Sequence, residues 1–253
     1  ANKSQWRQRE QFAIQISELC ALISADKLNQ FYVPKFYDLC LDDVATVRET
    51  TATMATASIV KNFLSSNNLF FLDNFINEMT FFQSSRTFTH RQTFICMIKS
   101  LILDFCSIDT SEKAAPGSDL NLIDSIVIKY FEKGLLDLSQ DKVVNVRISL
   151  AECFYSVQIR MEELEQEAQR IQKQVNAQRL KDKEVNESDL RYLTKYRAIR
   201  DEIGFYLNKN FYQLIVNLKQ DTPSVSDFLE HITIRDASSL DDLDDNDAEE
   251  ATP

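Results

Sequence analysis

Glycine and proline are almost missing from this chain: 3 and 4 among 253 residues. Both lie far below ordinary usage. So few turn-makers cannot serve the many tight reversals of an all-β fold, which is thereby excluded. Histidine is as scarce, with only His90 and His231. Neither lies among Cys or carboxylates at ligand spacing, which argues against a zinc centre or a catalytic triad. No Gly-rich phosphate loop, GxSxG or HExxH occurs, and no Gly-containing calcium loop surrounds Asp42-Asp43. The reading is of a non-enzyme without catalytic residue, metal or cofactor. No signal-peptide pattern or apolar run of membrane-spanning length is visible.

Basic clusters are also lacking. Net charge is −11, and eight acidic residues with no basic one fall between Asp236 and Pro253, which leaves −3 for the rest. The body is nearly balanced, so nucleic acid and membrane are not expected partners. Five cysteines, Cys20, Cys40, Cys96, Cys106 and Cys153, form no CxxC pair. Each falls in an apolar helical stretch, which predicts reduced, buried thiols and a cytoplasmic or nuclear setting.

What is abundant is aromatic surface, 17 Phe and 8 Tyr, arranged with helical period. Phe12, Ile16, Leu19 and Ile23 mark a helix over 6–23, and Phe31, Phe36, Leu39 and Cys40 another over 28–41, with Pro34 in its first turns. Thr51, Met54, Ala55, Ile59 and Phe63 mark 48–63; Phe71, Phe75, Met79 and Phe82 mark 68–82. Phe94, Ile98, Leu101, Ile102 and Phe105 mark 90–106. Residues 107–119 read as a loop, and 120–138 as a helix. From Arg147 the pattern runs without Gly or Pro to about Lys183, roughly 55 Å at helical rise. Within it Met161, Leu164, Ala168, Ile171 and Val175 form a heptad seam. A second long helix is expected from about Leu190 to Lys219. The two together predict an antiparallel helical arm.

One segment recurs. Leu41-Asp42-Asp43-Val44-Ala45-Thr46-Val47-Arg48 returns as Leu138 to Arg147, with an Asp six residues before an Arg and a Val directly before that Arg. The copies are 99 residues apart, room for two helical hairpins of roughly 40–50 residues each, a period that signals a stack of helix pairs. Asp42 and Asp141 are placed to cap helix N-termini. Arg48 and Arg147 are placed to pair with an Asp of the neighbouring repeat, forming a ladder.

The series Trp6-Arg7-x-Arg9, Leu39-Cys40-x-Asp42-Asp43-Val44-x-x-Val47-Arg48, His90-Arg91-Gln92-x-Phe94-Ile95-Cys96 and Asp141 to Arg147 resembles the HEAT-repeat subunits of protein phosphatase 2A-like Ser/Thr phosphatases. That family includes the phosphatase 2A scaffold subunit and phosphatase 4 regulatory subunit 1. The resemblance covers residues 5–157. It implies an all-α solenoid of HEAT-like hairpins whose intra-repeat turns line one ridge and grip the phosphatase catalytic subunit. Carried over by position, the partner-binding residues are Trp6, Arg7, Asp42, Asp43, Thr46, the Ser84 to His90 turn with Arg86 and His90, and Lys142, Val144 and Asn145. The alternative is a general HEAT-repeat adaptor in nuclear transport or chromosome organisation.

The expected organisation is HEAT-like repeats over 1–157, an arm over 158–219, a short helix over 220–235 and an acidic disordered tail over 236–253. The arm reads as two helices that zip each other shut; the alternative is a docking post for a second partner, such as a further regulatory subunit or substrate. In the tail, Ser238 and Ser239 each have an Asp three residues on and are candidate phosphorylation sites. Trp6-Arg7-Gln8-Arg9 reads as the start of a hairpin's second helix, and the missing initial Met predicts a portion of a longer protein.

Overall fold

The computed structural model describes residues 5–106, 129–180 and 185–206. The described residues are helical, with no strand among them. Helix α1 spans Trp6–Leu19. A short α2, Ala25–Lys27, runs through a wide π-turn, Leu28–Tyr32, into α3, Val33–Cys40. Then follow α4 (Ala45–Ser65), α5 (Leu69–Gln83), α6 (Phe88–Phe105), α7 (Lys129–Ser139), α8 (Val144–Arg179) and α9 (Glu187–Tyr206).

The helices pack in pairs and in layers. Helices α3 and α4 form one hairpin, α5 and α6 the next, α7 and α8 a third. The second helices stack directly: α1 on α4, α4 on α6, α6 on α8. Ser17 Oγ lies 3.1 Å from Ser58 Oγ between α1 and α4. Ser100 Oγ of α6 donates to the Thr53 carbonyl of α4 at 2.8 Å. Gln92 Nε2 of α6 donates to Ser149 Oγ of α8 at 2.9 Å. The first helices are joined by aromatic rings. Phe36 and Tyr37 of α3 meet Phe75 of α5 at centroid separations of 5.4 and 5.6 Å, and Tyr37 stacks on Phe82 at 6.0 Å. The Tyr37 hydroxyl donates to the Phe75 carbonyl at 2.8 Å, so its polar end is satisfied inside the core.

The apolar positions read from the sequence largely face this core: Ile16, Phe36, Ile59, Phe63, Phe75, Met79, Phe82, Phe94, Ile98 and Leu101 are buried. Two are not. Phe31 is 58 % exposed and Met54 46 % exposed. Phe31 lies in the π-turn, where the wider i→i+5 spacing shifts the helix phase and turns a side chain off the apolar face. Met54 sits one position before Ala55, on the flank of the buried stripe.

Helix α8 is long, as the absence of Gly and Pro required. Leu164, Ala168, Ile171 and Val175 of its second half are buried, as are Leu193, Tyr196 and Ile199 of α9, which packs on it. Asp189 lies near enough to Arg170, and Glu165 to the Tyr196 hydroxyl, for each carboxylate to act on its partner, so α9 runs back along α8. The expected continuation to Lys219, the 220–235 helix, the tail with Ser238 and Ser239, and the 107–119 loop lie outside the described residues.

Candidate functional site

The recurring turn is built three times. Asp42 Oδ1 accepts the amide of Val44 at 2.9 Å, Ser85 Oγ that of Thr87 at 3.2 Å, and Asp141 Oδ1 that of Val143 at 2.8 Å. This side-chain-to-amide bond two residues on is what Asp and Ser supply in turns. The residue that donates this amide is extended each time and caps the helix that begins at the next residue: Val44 at φ −89°, ψ 121°, Thr87 at −81°, 117°, Val143 at −91°, 114°. The fourth residue of that helix is always Arg, and it donates back to the first turn residue's carbonyl. Arg48 Nη1 reaches Asp42 O at 2.6 Å, Arg91 Nη1 reaches Ser85 O at 2.7 Å, and Arg147 Nη1 reaches Asp141 O at 2.5 Å. Arg9 holds the same fourth position in α1.

The turns are bolted together by two-point ion pairs. Arg9 Nε and Nη2 donate to Asp42 Oδ2 and Oδ1 at 2.5 and 3.0 Å, and Arg91 Nε and Nη2 to Asp141 Oδ2 and Oδ1 at 2.6 and 2.9 Å. The ladder expected from the sequence therefore exists with other partners. The cross-repeat cations for the two carboxylates are Arg9 and Arg91, while Arg48 and Arg147 bond the carbonyls of their own turns. A rung runs from the fourth residue of one helix to the turn before the next stacked helix, so Asp42 faces α1. Burial by itself pushes both carboxyls up. The Arg side-chain bond, the turn amide and the Arg charges outweigh it, and both are held below the ordinary carboxylate range.

This frame aligns three side chains at each of two outward positions. Asp43, Arg86 and Lys142 share one, and all are exposed; Thr46, Thr89 and Asn145 share the other, with Thr46 and Asn145 exposed. Arg7 is the α1 counterpart of the second set and is exposed, its guanidinium 4.6 Å over the Trp6 ring. Trp6 is half-buried and packs against the core, as does Val143; Val144 is half-buried. Phe88 holds the same first-residue position in α6 and is 41 % exposed, a surface aromatic that the helical period over 90–106 does not include.

Two of the expected contact residues turn inward. The Asp42 side chain is 5 % exposed and committed to Arg9. His90 is half-buried where its counterparts Val47 and Val146 are buried. Its Nδ1 lies 2.9 Å from Ser85 Oγ, and its ring is 5.9 Å from that of Phe82. Burial first, and the Arg48 charge second, hold its pKa below the ordinary histidine value.

No group of three His, Cys, Asp or Glu among the described residues could hold a metal ion. No described helix is long and apolar enough to cross a membrane. The five cysteines are free, and Cys20, Cys40, Cys106 and Cys153 are buried. Comparison of the chain with protein-family models, with curated proteins and with solved structures found no match.

Proposed function

We propose that the chain is a non-catalytic scaffold: a solenoid of HEAT-like hairpins whose aligned turns hold the catalytic subunit of a phosphatase 2A-like Ser/Thr phosphatase and place it near its substrates. The observation that carries the scaffold reading is the threefold turn, whose Arg–Asp rungs hold a row of exposed side chains in fixed register. Such a row suits recognition of a protein surface, because contact residues on loops gain precision from a rigid frame beneath them. The phosphatase itself comes from the resemblance of the Trp6 to Arg147 series. Hydrolysis belongs to the partner, and the scaffold acts on it through placement and effective concentration.

Affinity capture from cell extract with the 253-residue chain, followed by identification of retained proteins, tests this reading. Enrichment of a phosphatase 2A-like catalytic subunit supports it. Recovery of a transport GTPase or of basic cargo without that subunit would favour the general HEAT adaptor. A chain carrying Lys142→Glu with Asn145→Asp is expected to retain its fold and lose the catalytic subunit.

A further inference from the structure

The ladder of rungs has a gap. In the series of fourth-position arginines, Arg9 meets Asp42 and Arg91 meets Asp141. Between them, Arg48 of α4 faces the turn that begins at Ser85, because α4 stacks on α6 in the register set by Ser100 on Thr53 and by Lys61 Nζ on Asp104 Oδ1 at 2.6 Å. That turn has a hydroxyl where the other two have a carboxylate. Among the described residues Arg48 donates to the Asp42 carbonyl and its charge reaches the Asp42 carboxylate, but it makes no ion pair of its own, since Arg9 holds that carboxylate at both oxygens. It is half-exposed, and its charge is felt at His90, five residues beyond Ser85.

The surroundings carry positive charge. Arg86 and Lys142 are the exposed residues at the second and third turns. The Arg91 guanidinium also lies there, although Asp141 neutralises it. Asp43 is the one acidic member of that outward row and belongs to the first turn. An open cation between two satisfied rungs, flanked by further cations, is complementary to an anionic group presented from outside.

We infer that the middle turn is an acceptor for an acidic side chain of a docked protein, whose Asp or Glu carboxylate enters between Arg48 and Ser85 and completes the ladder. The arginine fork would bind it from one side, and the Ser85 hydroxyl and the Arg86 side chain would complete the seat. This rests on the ridge reading proposed above and names the chemistry that the ridge selects.

The test uses the full chain with ¹⁵N-labelled arginine, and hexaglutamate as the probe, titrated at constant ionic strength with inorganic phosphate run in parallel. The expected result is a saturable shift of the Arg48 Nε–H signal, with the His90 ring signals moving in step. The dissociation constant should weaken at least tenfold in Ser85→Asp, where the chain supplies its own carboxylate, and in Arg48→Gln. Equal shifts across all arginines, undiminished binding by Ser85→Asp, or a response to phosphate alone would overturn the inference. Its failure and that of the phosphatase reading are separable. If the unaltered chain and Ser85→Asp hold the catalytic subunit equally well, the acceptor is wrong and the scaffold stands. If hexaglutamate binds at Arg48 but no catalytic subunit is held, the acceptor stands and the partner is wrong.

Discussion

Arg91 and Asp141, 50 positions apart in sequence, meet as a two-point pair with their side chains 13 % and 9 % exposed. The same Asp141 carboxylate accepts the amide that shapes its turn. One side chain thus sets a local turn and ties two hairpins together. Replacing it with Ala strands a largely buried guanidinium and leaves the turn amide without its acceptor. Asp141→Ala is expected to cost about 2–4 kcal/mol, read as a lower urea midpoint. A double-mutant cycle with Arg91→Ala should return a coupling of about 1–3 kcal/mol. Additive losses would mean that the rung couples nothing.

Acid should act on the rungs. The Asp42 and Asp141 carboxyls titrate below their ordinary value when folded and near it, at about 3.9, when unfolded. Their stabilisation is therefore complete above about pH 4 and lost as pH falls through the lowered folded values. In the unaltered chain the unfolding free energy should drop on acidification below about pH 4. In the Asp42→Ala, Asp141→Ala chain that slope should be shallower, as measured by denaturant titration at a series of pH values.

Closing the middle rung from within should stabilise the molecule. Ser85→Asp keeps the turn bond to Thr87 and gives Arg48 a carboxylate, with an expected gain of about 0.5–1.5 kcal/mol. Neutralising the Arg48 charge should also raise the pKa of His90, as should Arg48→Gln. An NMR titration of the His90 ring reads both. A fall in that pKa, or no change, would show that Arg48 does not act on it.

Thiol chemistry gives an independent probe of packing. Burial raises Cys20 and Cys96 to about 11 and Cys106 and Cys153 to about 12, and Cys40 well above its usual value. At pH 8 the thiolate fraction is small, and the native chain should be alkylated by iodoacetamide at least tenfold more slowly than a free thiol. In denaturant all five should react. Rapid modification of Cys153 in the native chain would contradict the packing of α6 on α8.

The helices were legible because Gly and Pro are scarce and apolar residues keep a 3.6 period. The 36-residue α8 follows from the stretch after Arg147 with neither breaker. The middle copy of the turn, Ser84 to His90, follows from the family resemblance and not from the repeated segment, because Ser85 stands for Asp and His90 for Val. Uneven spacing, 43 residues from Arg48 to Arg91 and 56 from Arg91 to Arg147, also masks it as a repeat. The sequence points to a ladder but not to its pairing, because which turn an arginine reaches depends on which helix stacks on which. That is a tertiary fact with no local signal. Phe31 could not be placed, because the π-turn that rotates it outward breaks the period on which the reading depended. Phe88 has no signal of its own, because the apolar period marks a helix only from His90, whereas the helix begins two residues earlier.

The most direct test of the scaffold account is the affinity of the purified 253-residue chain for a purified phosphatase 2A-like catalytic subunit, measured by calorimetry beside the Lys142→Glu, Asn145→Asp chain. The account predicts saturable one-to-one binding at micromolar concentration or tighter, weakened at least tenfold in the altered chain while both chains melt at the same temperature. Absence of heat with the unaltered chain, or equal affinity for the two, would contradict it.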